Sequence, residues 1–259
     1  MSIVVSLNDA VVTFLLVAAR IAGMVVTAPV LASSWIPRLS KVGVVLILSG
    51  ALAATLPPTA FANLLELGLG MILEFAVGLL MGLVLAIFLS AFSMAGQLVT
   101  YQLGVGLAVA ANPGLLSAGS FLAEWQSLIA TLVFVGSGGL ELTVEALRAS
   151  FVALPLAHGG MPADALSFVV GLFQTCLEIT LLVAAPLLAT GLVVDLAVGV
   201  LARAVPQLNA YLLALPVNFG VSLLVLAATL PFLFGILPTV WQHAFEALSH
   251  LLALWEGRP

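Results

Sequence analysis

The sequence predicts an all-α integral membrane protein, built of long, proline-broken apolar helices that fold back as hairpins. Three observations carry that expectation. The 259 residues are 63% hydrophobic and 7% charged, with mean hydropathy +1.32, whereas a soluble domain carries about 25% charged residues. Apolar stretches reach or exceed the roughly 20 residues that cross a hydrocarbon core about 30 Å thick. The breaks between them hold Gly, Pro, Ser and Asn, the residues of turns rather than of linkers between domains. With no repeat, no low-complexity tract and no polar segment large enough for a soluble unit, 1–259 reads as a single domain.

The elements follow in order. Residues 10–32 form the first apolar stretch. It lacks the basic start of a secretion signal and carries Asp9 instead, so it reads as a retained membrane helix. After SSWIPRLSK comes 42–56, too short to span comfortably. Arg38 and Lys41 in this first loop favour its placement in the cytoplasm, with the N-terminus outside. LPPTAFAN then ends the second stretch, and 64–95 and 97–111 follow. ANPGLLSAGS separates these from 121–136, GSGG marks a turn, and a weaker apolar stretch covers 139–154. Beyond LPLAHGGMPAD lie 165–200, 207–236 and 239–255. At about 1.5 Å per residue, 64–95 would be about 48 Å long and 165–200 about 54 Å. Helices of that length need other protein around them, or kinks that return them as hairpins. Pro186, Pro206, Pro216 and Pro231 are placed to supply such breaks. Gly78 and Gly82, Ala18 and Ala22, and Ala91 and Ala95 recur at the spacing that lets helix backbones approach closely.

Charges inside apolar stretches are costly, and each is a functional candidate unless it pairs or lies outside the bilayer. They are Arg20, Glu66, Glu74, Glu124, Glu178, Asp195 and Arg203. Asp195 and Arg203 are a candidate pair across the break before Pro206. His243 and His250, seven apart, fall on one helical face, a spacing typical of interfacial histidines rather than of a metal site. No metal or cofactor is expected. The lone Cys176 reads as a small packed hydrophobe. No basic stripe with aromatics suggests nucleic acid. GSGG is not a nucleophile elbow, and neither a phosphate loop nor a dinucleotide fingerprint is present, so no enzymatic activity is expected.

Two segments break the apolar pattern. In TYQLGVGLAVAANPGLLSAGSF, Gly104, Gly106, Gly114 and Gly119 relax the backbone, and Asn112–Pro113 marks a turn. Backbone of this kind at membrane depth survives only against protein or a water-filled cavity. It is either a tight helical hairpin or a loop that lines or plugs a conduit. In the second case Ala108, Val109, Ala110 and Ala111 would close a narrow passage by dewetting. The other segment, LARAVPQLNAYLLALPVNFG, gathers Arg203, Pro206, Gln207, Asn209, Tyr211 and Pro216. There Arg203, Gln207 and Asn209 would bond backbone groups freed near Pro206, or side chains of neighbours.

Three stretches resemble one family. ARIAGMVVTAPVLASSWIPRLSKVGVVLILS at 19–49 is similar to a pattern of Arg, small residues, Ala-Pro and a Pro-Arg loop. GQLVTYQLGVGLAVAANP at 96–113 is similar to a glycine-rich stretch ending in Asp-Pro or Asn-Pro, with Tyr101 where a small or aliphatic residue is usual. LARAVPQLNAYLLALPVNFGV resembles an Arg-x-x-Pro-Gln-x-Asn-x-aromatic signature followed by Pro, with Ala214-Leu215-Pro216 where many members have Gly-Phe-Pro. The family is that of the flagellar biosynthetic protein FliR and its counterpart, the T-type export apparatus subunit of virulence type III secretion. The resemblance implies a non-enzymatic subunit of an export gate in the bacterial inner membrane, at the base of the flagellum. It implies P-type and Q-type subunits as partners, an FlhB-like switch protein and an FlhA-like subunit nearby, lipid around the assembly and unfolded proteins passing through it. It also implies that a plug-like loop falls at about 104–120. A flagellar role is favoured over a virulence role. A secondary transporter with discontinuous helices is the alternative from another class, but it predicts matching breaks in two halves, and none is seen.

Overall fold

The structure is a computed structural model that describes residues 9–33, 35–59, 61, 63–102, 121–156, 164–204 and 210–255. Among these residues it is all-helical: α1 (Asp9–Thr27), α2 (Arg38–Ala53), α3 (Leu64–Gln102), α4 (Phe121–Gly136), α5 (Gly139–Ala153), α6 (Ala165–Ala204) and α7 (Ala210–Trp255). Four of them, α1, α3, α6 and α7, are long and apolar enough to cross a membrane, or five spans if α4 and α5 count as one broken span.

Local chemistry explains the boundaries. Asp9 in the first turn of α1 complements the helix dipole. The chain leaves α1 through Pro29, and the Leu31 N–H donates to the Pro29 carbonyl at 2.8 Å, closing a γ-turn around Val30 at φ 68°. A β-branched residue in that region is strained. Pro37 precedes α2, and Pro57–Pro58 bars its continuation. Gly138, at φ 79°, makes the left-handed turn from which α5 starts, and Pro155 follows its end.

The long helices depart from the expected segmentation. Residues 64–95 and 97–111 were separate stretches by sequence, yet α3 runs through Gly96 to Gln102. Glycine costs a helix only about 1 kcal/mol, and the Thr100 hydroxyl donates to the Gly96 carbonyl at 2.7 Å within that turn. Likewise α6 continues through Pro186, and α7 through Pro216 and Pro231. A proline deletes one donor and bends the helix, but the flanking hydrogen bonds carry it on. Pro206 lies outside the described residues.

By packing, the chain divides into two compact units: Met1–Ile87 with Gly138–Leu172 and Gln242–Pro259, and Phe88–Ser137 with Phe173–Trp241. The first unit centres on Leu16, Ile21, Met24, Met81 and Leu85. There α1 and the first half of α3 touch backbone to backbone. A Cβ on Gly78 would strike the Arg20 carbonyl, one on Gly82 the Thr27 hydroxyl, and one on Gly23 the Phe75 carbonyl. Contacts rise together along both helices, so α1 and α3 run parallel. The loop after α2 is tied back by the Thr59 N–H, which donates to the Thr13 hydroxyl at 2.9 Å.

In the second unit, Phe88, Phe92, Ala95, Ala130 and Leu187 are buried, and the Phe134 ring packs tilted at 52° against Trp241, with centroids 4.5 Å apart. The small methyl side chain of Ala91 lets α6 approach, and the Thr180 hydroxyl donates to the Ala91 carbonyl at 3.2 Å. Gln102 donates to the Leu188 carbonyl at 3.2 Å over Gly191, where a Cβ would crowd the amide.

Candidate functional site

The polar centre that the fold builds is Arg20. Its side chain is 0% exposed and that of Glu74 2%, and Nε donates to a Glu74 carboxylate oxygen at 2.6 Å. One terminal nitrogen donates to the Ser150 carbonyl at 2.9 Å and its hydroxyl at 3.2 Å. The other donates to the Leu154 carbonyl at 3.0 Å. The guanidinium also lies 4.4 Å from the Phe151 ring centroid, within cation–π range. One side chain thus neutralises a carboxylate on α3 and caps the last carbonyls of α5, where the helix dipole favours a cation.

Such a charge is tolerated in an apolar core because each of its three nitrogens donates to an acceptor. A lone buried ion would cost several kcal/mol. The planar fork of arginine matters here, since an ammonium could not serve α3 and α5 in the same plane. The arrangement is closed and presents no reactive group to a substrate. Its chemistry is structural: it fixes the rotation and register of α1 against α3 and α5 within the first unit.

The sequence marks both Arg20 and Glu74 as candidates without pairing them. A signal was available. Arg20 lies eleven residues into α1 from Asp9, and Glu74 ten residues into α3 from Leu64. Opposite charges at equal depth in two helices are natural partners once the helices are known to run parallel.

The other expected charges lie outward. Glu66 is exposed and accepts from the Asn63 amide at 3.3 Å. Glu178 is exposed and accepts from the Gln174 amide at 3.1 Å. Glu124 is also exposed. Asp195 and Arg203 are exposed on the single helix α6, eight residues or about 12 Å of rise apart. Tyr211 and Pro216 fall in the first turns of α7. Pro206, Gln207 and Asn209 lie outside the described residues. So does the whole glycine-rich segment, with Gly104, Gly106, Ala108, Val109, Ala110, Ala111, Asn112, Pro113, Gly114 and Gly119.

His243 and His250 are exposed on α7, and the His250 ring lies 5.7 Å from that of Phe168. Among the described residues no group of three metal-ligating side chains converges. Gln126 was not foreseen. It is buried on α4, and neither amide atom has a hydrogen-bond partner among the described residues.

Residues 11–247 match a family described as bacterial export proteins, family 1. Over 258 residues the chain is 27% identical to the flagellar biosynthetic protein FliR of Bacillus subtilis, covering 96% of this chain and 98% of that protein. Over 237 residues it is 25% identical to the Escherichia coli protein of the same name, covering 90% and 88%. It is also 34% identical over 157 residues to the Yop proteins translocation protein T of Yersinia pestis, covering 59% of each.

Proposed function

The chain belongs to family 1 of the bacterial export proteins, and from that membership we propose that it is a structural, non-enzymatic subunit of a flagellar type III protein export gate. Its place is the bacterial inner membrane at the base of the flagellum. Together with P-type and Q-type subunits it surrounds the passage taken by unfolded substrates, with FlhB-like and FlhA-like proteins adjacent.

The observation that carries this reading is near full-length similarity to flagellar relatives. The physical character of the helices agrees with it. α6 has 40 residues and α7 has 46, about 60 and 69 Å of helix. Exposed apolar side chains such as Leu166, Leu177, Leu192, Leu196 and Leu224 run along them. That is more length than a hydrocarbon core of about 30 Å covers without steep tilt, and sister subunits are the natural cover for the rest. A virulence-type role is the second reading, favoured by the higher identity to the Yersinia protein. The broader coverage of the flagellar relatives decides for the first.

Within this reading the glycine-rich segment at about 104–120 is the plug. Its short side chains close the passage by dewetting, and its glycines let it swing aside. The cluster of Arg203, Pro206, Gln207, Asn209, Tyr211 and Pro216 meets neighbouring subunits. Co-expression with the adjacent membrane genes followed by affinity purification tests the assignment. A complex that includes the P-type subunit is expected, weakened by Arg203→Ala. Deleting residues 106–118 should raise ion leakage through the reconstituted complex. A chain that purifies alone from that co-expression, or a deletion that leaves the membrane tight, would overturn the respective part.

A further inference from the structure

We propose that α2 and the turn before it form a lipid-anchoring edge, in which Arg38 and Lys41 contact anionic headgroups while Leu39, Leu46 and Ile47 enter the acyl layer. The observations are these. Trp35 is 82% exposed and Leu39 84%, and Arg38, Leu46 and Ile47 are exposed as well. Of the residues of α2 only Ser49 is buried. The helix has 16 residues, about 24 Å, so it cannot cross the hydrocarbon layer by itself.

Two of the chain's six basic residues lie in the first turn of this helix, and no charged residue follows from Lys41 until Glu66. Chemistry is therefore graded along the axis: aromatic and basic at one end, apolar for the rest. A bilayer imposes such a gradient, headgroup first and hydrocarbon next, and Trp with Arg or Lys is the usual anchor at that boundary. Among the described residues neither cation pairs with a carboxylate. They sit at a helix N-terminus, where the dipole opposes positive charge, and Pro37 offers no side-chain cap. The Lys41 ammonium donates to the Ala32 carbonyl at 3.0 Å, which holds the basic end close to the turn and leaves two of its donors for a ligand. The net charge of the chain is −5, so this patch opposes the overall sign and gives a local preference for anions.

The inference goes beyond the export-gate reading and does not depend on it. To test it, a nitrobenzoxadiazole probe is attached at Ser40→Cys in a Cys176→Ala background, in the full chain reconstituted into vesicles. Quenching by doxyl-labelled phosphatidylglycerol is compared with quenching by doxyl-labelled phosphatidylcholine at equal mole fraction. The anionic lipid should be preferred by roughly fivefold for each basic residue in contact with the layer, and Arg38→Gln with Lys41→Gln should bring the two lipids to parity. A second probe at Ile47→Cys should be quenched by both lipids, with or without the two substitutions. Equal quenching at position 40 in the unsubstituted chain overturns the proposal, as does an unquenched probe at position 47. Loss of quenching at 47 when sister subunits are co-purified assigns the face to protein contact and overturns it too. Failure of the gate assignment would appear in the co-purification itself, not in these ratios.

Discussion

Arg20 on α1 and Glu74 on α3 form an ion pair at 2.6 Å, with both side chains withdrawn from solvent. Removing one partner breaks the buried pair and takes this counter-charge from the other, which costs about 3–5 kcal/mol. Arg20→Met should therefore abolish or severely lower the thermal unfolding midpoint in detergent. Arg20→Met with Glu74→Leu should recover part of it, because no charge is left behind. Recovery stays incomplete, since the Leu154 carbonyl loses the Arg20 donor and the Ser150 carbonyl keeps only the Leu154 N–H. A double variant no more stable than the single ones would contradict this account.

Gly78 is set by contact, not by turn geometry. Its missing Cβ leaves room for the Arg20 carbonyl, a backbone atom that cannot step aside. Gly78→Ala should destabilise by about 1–3 kcal/mol through overpacking. Gly43 on α2 has nothing within 4 Å of its Cβ position, so Gly43→Ala should instead gain up to about 1 kcal/mol from helix propensity. Chemical denaturation of the two variants side by side checks the difference in sign.

Val30, at φ 68° inside the γ-turn after α1, holds a conformation that its branched side chain disfavours. Strain of this kind is worth about 1–3 kcal/mol, and glycine returns about 0.5–1 kcal/mol of it as chain entropy. Val30→Gly should raise stability by about 1 kcal/mol, read as a higher midpoint in the same denaturation assay. A lower midpoint would show that the turn is supported by packing of the valine side chain.

Gln126 keeps both amide atoms buried without hydrogen-bond partners among the described residues. An unmet buried polar group costs about 1–3 kcal/mol, and replacement by an apolar group of similar shape removes that cost. Gln126→Leu should stabilise the isolated chain. If the same substitution weakens the co-purified complex, the amide finds its partner only on assembly, which explains why a costly group is kept.

Much of this architecture was legible because apolar length and turn chemistry are local properties. Asp9 and Gly138 mark helix starts within a residue of where they fall, while Pro57–Pro58 lies four residues past the end of α2. The joins at Gly96, Pro216 and Pro231 were not legible. One glycine or one proline weakens a helix locally, but whether it ends the helix depends on what packs on either side. Gly78 and Gly82 were recognised as a close-approach pair from spacing. That their partner is α1, and that α1 runs parallel to α3, is absent from any spacing.

Composition and the order of breaks determined that this is an all-α membrane protein, and three stretches of sequence pointed to its family. Such features are sums over neighbouring residues, so the linear chain contains them. Tertiary structure alone decided which buried charges meet. Arg20 and Glu74 are 54 positions apart, and Ser150 lies 130 positions from Arg20. Pairing across those distances depends on the direction and rotation of three helices at once, and the glycine contacts between α1 and α3 set part of it. A charge in an apolar stretch announces that a partner is needed; only the packed helices say which one it has.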